Sequence, residues 1–237
     1  MSGVWLIAAR EFSDTLGTRA LLRFLIVAIA IPMIFLGALR VQAARPAVDS
    51  RPHADAARAF MVYLDLLPAS AAVNVAATAF AIEFETGTII PLLAAPISTY
   101  AIFWGKSVAA LALGSALAWT GQGLLWGLYR PLVGLPWPLG GGETAALIAI
   151  APLILLPPIA AAILMGSRAR RVRAAQAGIS LVSVPLVIGS VFLAIRLRSI
   201  TLASTWTELL AWAAIAALLI TIGVRGWNRE ELLARLR

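Results

Sequence analysis

Residues 20–39 read ALLRFLIVAIAIPMIFLGAL, and this stretch decides the fold class. Arg23 is its one charge in an otherwise apolar run. A helix rises about 1.5 Å per residue, so a run of this length crosses a hydrocarbon core about 30 Å thick. Five further apolar runs follow, at 59–82, 101–128, 145–166, 174–195 and 205–224. Within one segment, only a helix satisfies its own backbone hydrogen bonds across such a layer. A barrel needs alternating strands of about ten residues, and no such alternation occurs. The expectation is an all-α, polytopic membrane protein. Its transmembrane domain, residues 20–224, is a six-helix bundle preceded by segment 1–19 and followed by a tail at 225–237.

Composition agrees. The 237 residues are 61% hydrophobic and 13% charged, with mean hydropathy +0.92. Soluble domains carry about 25% charged residues, so this chain cannot cover an aqueous surface. Cysteine is absent and His53 is the single histidine, which excludes disulfide frameworks and His- or Cys-based metal sites. The net charge of +8 reads as topology and lipid-headgroup charge rather than as a nucleic-acid surface.

An even number of spans puts both termini on one side. If that side is the cytoplasm, the inner set is Arg10, Arg19, Arg23, Lys106, Arg168, Arg170, Arg171, Arg173, Arg225, Arg229, Arg235 and Arg237. The outer set is Arg40, Arg45, Arg51, Arg58, Arg130, Arg196 and Arg198. The inner set is the larger, so both termini are expected inside; the four Arg of the first outer loop pull the other way. In 1–19, Trp5, Ala8, Ala9, Phe12 and Leu16 recur at helical spacing, with Arg10, Glu11 and Asp14 off the stripe. That pattern describes an amphipathic helix lying in the membrane interface.

Within the spans, Pro152, Pro157, Pro158 and Pro185 permit kinks, and Gly123 and Gly127 form a GxxxG at which helices can approach closely. Asp65 is expected near the outer interface. Asn74 lies deeper and suits an interhelical hydrogen bond or a substrate path. The string GKS at 105–107 is no phosphate loop, because position 100 is Tyr100 rather than Gly and no strand precedes it. Lys106 is expected to snorkel from a span end to headgroups. No catalytic residue set and no cofactor or metal site is recognisable.

The connection between the second and third spans, AIEFETGTIIPLLAAPISTYAIFWGKS at 81–107, carries the most information. Gly87 permits a sharp turn, Thr88 can cap the helix after it, and Pro96 stops that helix at Ala95. The outcome is a helix of about two turns over 88–95, too short to span. Its Ile89, Ile90, Leu92 and Leu93 are too apolar for water, so it docks on a partner protein or on its own bundle. The residues alone do not choose between these.

Glu83, Glu85, Gly87 and Thr88, then Leu92, Leu93, Pro96, Ile97 and Ser98, then Gly105 and Lys106, resemble the E-x-E-x-G-T … L-L-x-x-P-[IL]-S … G-K signature of ABC type-2 permease subunits. The opening AAREFSDTLGTRALL and the tail WNREELLARLR are similar to that family in layout. The resemblance implies a small bacterial exporter permease of the inner membrane, which binds no cofactor itself. It would form a dimer with a second permease copy or paralogue, served by two cytoplasmic ATPase subunits that hold ATP and Mg. It casts the short helix as a coupling helix, with Glu83, Glu85, Thr86, Gly87, Thr88, Leu92, Leu93 and Pro96 facing the ATPase. Because the second and fifth spans of the family line the dimer seam, Asn74, Thr78, Ser180 and Ser183 become candidate pathway residues. The chain departs from lipid and sterol exporters of the group in having no large insertion between its fifth and sixth spans. Competing readings are a self-sufficient secondary transporter or channel, and a non-transporting assembly subunit.

Overall fold

A computed structural model describes residues 3–16, 19–43, 50–169 and 171–178, with isolated helical positions at 214, 217, 218, 221 and 222. The element order is α1 (Gly3–Leu16), α2 (Arg19–Ala43), α3 (Ser50–Thr86), α4 (Ile89–Ala94), α5 (Thr99–Val133) and α6 (Gly141–Gly166). The described residues hold helices and no strand. Four helices are long and apolar enough to cross a membrane, over Phe24–Ala43, Ala54–Thr86, Tyr100–Val133 and Gly141–Gly166. These correspond to the first four expected spans. The runs at 174–195 and 205–224, and the tail at 225–237, lie outside the described residues almost entirely.

All four long helices outrun the apolar segments that announced them. α3 begins at Ser50 rather than Ala59, and α5 continues through Pro131 to Val133. Helices need no apolar side chain to propagate once backbone hydrogen bonds are running. Ser98 starts α5 by accepting the amide of Ala101 at 3.1 Å. Gly134 ends it in the left-handed region at φ 82°, where glycine carries no Cβ penalty. α6 runs unbroken past Pro152, Pro157 and Pro158.

α3 packs along α6, and α5 lies against α1, α2, α3 and α6. Two apolar cores result. One gathers Ile7, Ala76, Phe80, Ile89, Phe103 and Ile159 at the α3–α4–α5 corner. The other gathers Leu36, Met61, Leu64, Leu125, Tyr129 and Leu147 toward the opposite end, where Phe35 of α2 stacks on Phe60 of α3 with centroids 3.7 Å apart. Arg58 clamps α3 to α6 there, donating to Glu143 at 2.5 Å and pairing with Asp55 at 3.2 Å.

The expected GxxxG contact is absent among the described residues. A Cβ added at Gly123 or Gly127 would meet nothing within 4 Å, because both face outward. Close approach happens instead at isolated glycines. A Cβ at Gly166 would overlap the carbonyl of Ala77, so α6 and α3 touch backbone to backbone. At Gly105 a Cβ would come within 2.7 Å of the Ile7 side chain, and this is where α1 crosses α5.

α1 packs on the bundle along one face. It buries Ile7 and Ala8 against α5, with Val4, Glu11 and Phe12 half-buried on the same side, while Trp5 is 60% exposed. This contact face is offset by one residue from the apolar stripe of the sequence, and it includes Glu11, a carboxylate that lies off that stripe.

Candidate functional site

The α3–α4–α5 corner is where the signature residues converge. Lys106, in the second turn of α5, is 2% exposed and is among the largest fully buried side chains. Its ammonium lies 2.5 Å from Glu11 Oε1 of α1 and 3.1 Å from Glu83 Oε1 of α3, and donates to the Ala79 carbonyl at 3.1 Å. The Phe80 ring lies under it, 5.0 Å from nitrogen to centroid, which adds a cation–π contact. The expectation that Lys106 snorkels to headgroups is therefore wrong. Its stem runs into the bundle, where two carboxylates offset the cost of burying its charge. Periodicity could not show this, because the partners are 23 and 95 residues away.

Just beyond Glu83 the chain turns into α4. Gly87 takes φ 73°, the left-handed conformation expected of it. Thr88 makes no side-chain cap; its hydroxyl pairs instead with that of Thr86 at 2.9 Å. Thr86 also donates to the Ile82 carbonyl at 2.8 Å, so the two threonines finish α3 rather than start α4. Ala95 then turns extended (ψ 149°) ahead of Pro96, and α4 stops where the proline predicts.

α4 is two-faced. Ile89 is fully buried in the corner core and Leu92 packs against it. Ile90 is 55% exposed, and Pro91, Ala94 and Pro96 are exposed with it. The side chain of Leu93 lies outside the described residues. Glu85 and Thr86 are exposed beside the turn, whereas Glu83 is turned inward to Lys106. The predicted acidic pair is thus split between two jobs. Glu83 holds the corner together, and Glu85 is free to meet whatever approaches α4.

Of the candidate pathway residues, Asn74 and Thr78 are half-buried on α3. The Thr78 hydroxyl donates to the Asn74 carbonyl at 2.8 Å, one turn back, so its hydrogen bond is local to α3. Ser180 and Ser183 lie outside the described residues. An apolar pocket between α5 and α6 is lined by Trp104, Leu111, Leu156 and Ile159.

Asp65 is fully buried between the helices, as is Gln122 of α5 facing it. Gln122 Nε2 donates to Asp65 Oδ1 at 2.7 Å and lies near the carbonyls of Met61 (3.4 Å) and Leu147 (3.5 Å). One side chain thereby links α3, α5 and α6. Gln122 went unremarked in the sequence because a single amide in an apolar run has no periodic signature. The described residues hold no cluster of His, Asp or Glu suited to a metal.

No protein-family model matches the chain, and no curated protein is significantly similar to it.

Proposed function

We propose that this chain is the membrane-spanning subunit of an ATP-binding-cassette exporter of the type-2 class, powered by ATPase subunits on separate chains. In this reading it has six spans with both termini in the cytoplasm of a bacterium. It pairs with a second permease copy or paralogue, and the two ATPases that bind ATP and Mg seat on the α4 side. The observation that carries the reading is the form of α4, a six-residue helix anchored by Ile89 on one face and presenting Ile90, Pro91 and Pro96 on the other. A helix wholly buried in its own bundle could not be gripped, and one wholly exposed could not pass on a push.

The route for that push is short. α4 follows Glu83 by a few residues, and Glu83 is tied through Lys106 to Glu11 of α1. Displacing α4 therefore displaces α3, α5 and α1 as a group, and the cargo path would open along the dimer seam.

The test is whether a phosphate-loop ATPase is encoded beside this chain and is retained by it in a pull-down. The native chain is expected to retain the ATPase and stimulate its turnover. Ile90→Asp is expected to release it while the chain still inserts. A second reading, a self-sufficient secondary transporter, is favoured by one observation, the carboxyl of Asp65 inside the bundle. Cargo movement by the purified chain in vesicles without ATP would establish that reading and end the first.

A further inference from the structure

Asp65 and Gln122 leave a polar ledger unbalanced in a specific way. The Gln122 amide nitrogen faces three oxygens, of Asp65, Met61 and Leu147, and this fixes which way round the carboxamide sits. Its other end, Oε1, then has no hydrogen-bond partner, and neither has Asp65 Oδ2. Both orphans are acceptors, and both belong to residues with no exposed surface. Two acceptors cannot satisfy each other, and a buried acceptor left unpaired costs about 1–3 kcal/mol, more when it is charged.

A carboxylic acid and a carboxamide can form two hydrogen bonds edge to edge. The amide N–H donates to one carboxyl oxygen, as seen here at 2.7 Å. The acid O–H donates to the amide oxygen. We propose that Asp65 is a proton-binding site in the interior of the bundle, where one proton on Oδ2, donated to Gln122 Oε1, closes the acid–amide pair. The proton neutralises the carboxyl and satisfies both orphans at once. A metal cation fits less well, since hard cations gather six or more oxygens and only two are free here.

The charged groups on the packed elements do not compete for this role. Arg58 is seven residues away along α3, about 10 Å, and is engaged with Glu143 of α6 and Asp55. Lys106 and Glu83 are occupied with each other at the opposite end. α2 carries Arg40 near its C-terminal end and Arg19 and Arg23 in its first two turns, at the other end of the helix. Tyr63 of α3 and Tyr129 and Arg130 of α5 are further titratable groups toward this end; Tyr129 is two turns from Gln122, and its hydroxyl lacks a partner. Because Asp65 is sealed between α3, α5 and α6, its proton exchanges only when those helices part. Occupancy of the site thus reports their arrangement, whatever drives the protein.

The experiment is infrared difference spectroscopy of the full chain in phosphatidylcholine vesicles across neutral pH. A protonated-carboxyl C=O band is expected, lost in Asp65→Asn and moved to higher frequency in Gln122→Leu, where the amide acceptor is gone. Asp65→Asn should also keep the thermal stability of the parent, since its NH₂ can donate where the O–H did. Absence of the band in the parent protein, or a band that Gln122→Leu leaves unmoved, overturns the proposal. The Gln122→Leu shift is read on a chain that retains Asp65, so it decides the matter even if Asp65→Asn does not insert.

Discussion

The ammonium of Lys106 and the carboxylate of Glu11 meet at 2.5 Å although 95 residues separate them, and Glu83 closes on the same nitrogen at 3.1 Å. This buried triad fastens α1 to the α3–α5 pair at the root of α4. Replacing Lys106 by Met leaves two carboxylates facing each other without a cation. Removing one partner of a buried ion pair costs about 3–5 kcal/mol. A loss of that order in thermal or denaturant stability is expected for Lys106→Met, with partial recovery when Glu11→Gln and Glu83→Gln are added. If Lys106→Met is neutral, the triad does not hold the corner.

Glu83 and Glu85 are expected to behave differently despite their spacing. Glu83→Lys sets a second cation against Lys106 and should lower the yield of inserted protein. Glu85→Lys changes an exposed side chain, so insertion should be normal while ATPase retention falls. Equal effects of the two on insertion would contradict the inward and outward assignment.

Gly105 is the point where α1 crosses α5. A Cβ there comes within 2.7 Å of Ile7 and 3.0 Å of the Val4 carbonyl, so Gly105→Val should push α1 off its seat. Overpacking of this kind costs about 1–3 kcal/mol. Protease nicking within α1 should rise, while Gly123→Val, in open space, should leave nicking unchanged.

Arg58 links α3 to Glu143 of α6 from a half-buried position. Arg58→Leu should cost about 1–3 kcal/mol through the charge-assisted hydrogen bond it removes. High salt should weaken the parent little, because partly buried pairs are poorly screened. A salt-labile parent melting curve would show the pair to be more solvated than the structure has it.

Much of the fold was legible because it follows from chain-local physics. The apolar runs marked four of the described helices, Gly87 marked the turn, and Pro96 marked the end of α4. What was not legible depends on contacts across the chain. Thr88 has the chemistry of a cap, yet its hydroxyl found Thr86 nearer. The face of α1 that meets α5 includes Glu11, which pairs with a lysine no periodicity can reveal. Lys106 and Asp65 were both assigned to membrane edges on the general rule that charge avoids apolar surroundings. That rule yields where a partner waits inside, and partners are a property of the fold.

The meeting of Gly166 with the Ala77 carbonyl has a consequence for movement. With no side chain between them, α3 and α6 have no lubricating layer of rotamers that could slip past one another. The two helices form a plank that tilts or shifts whole. Relative movement among the described helices is then taken up away from the α3–α6 contact.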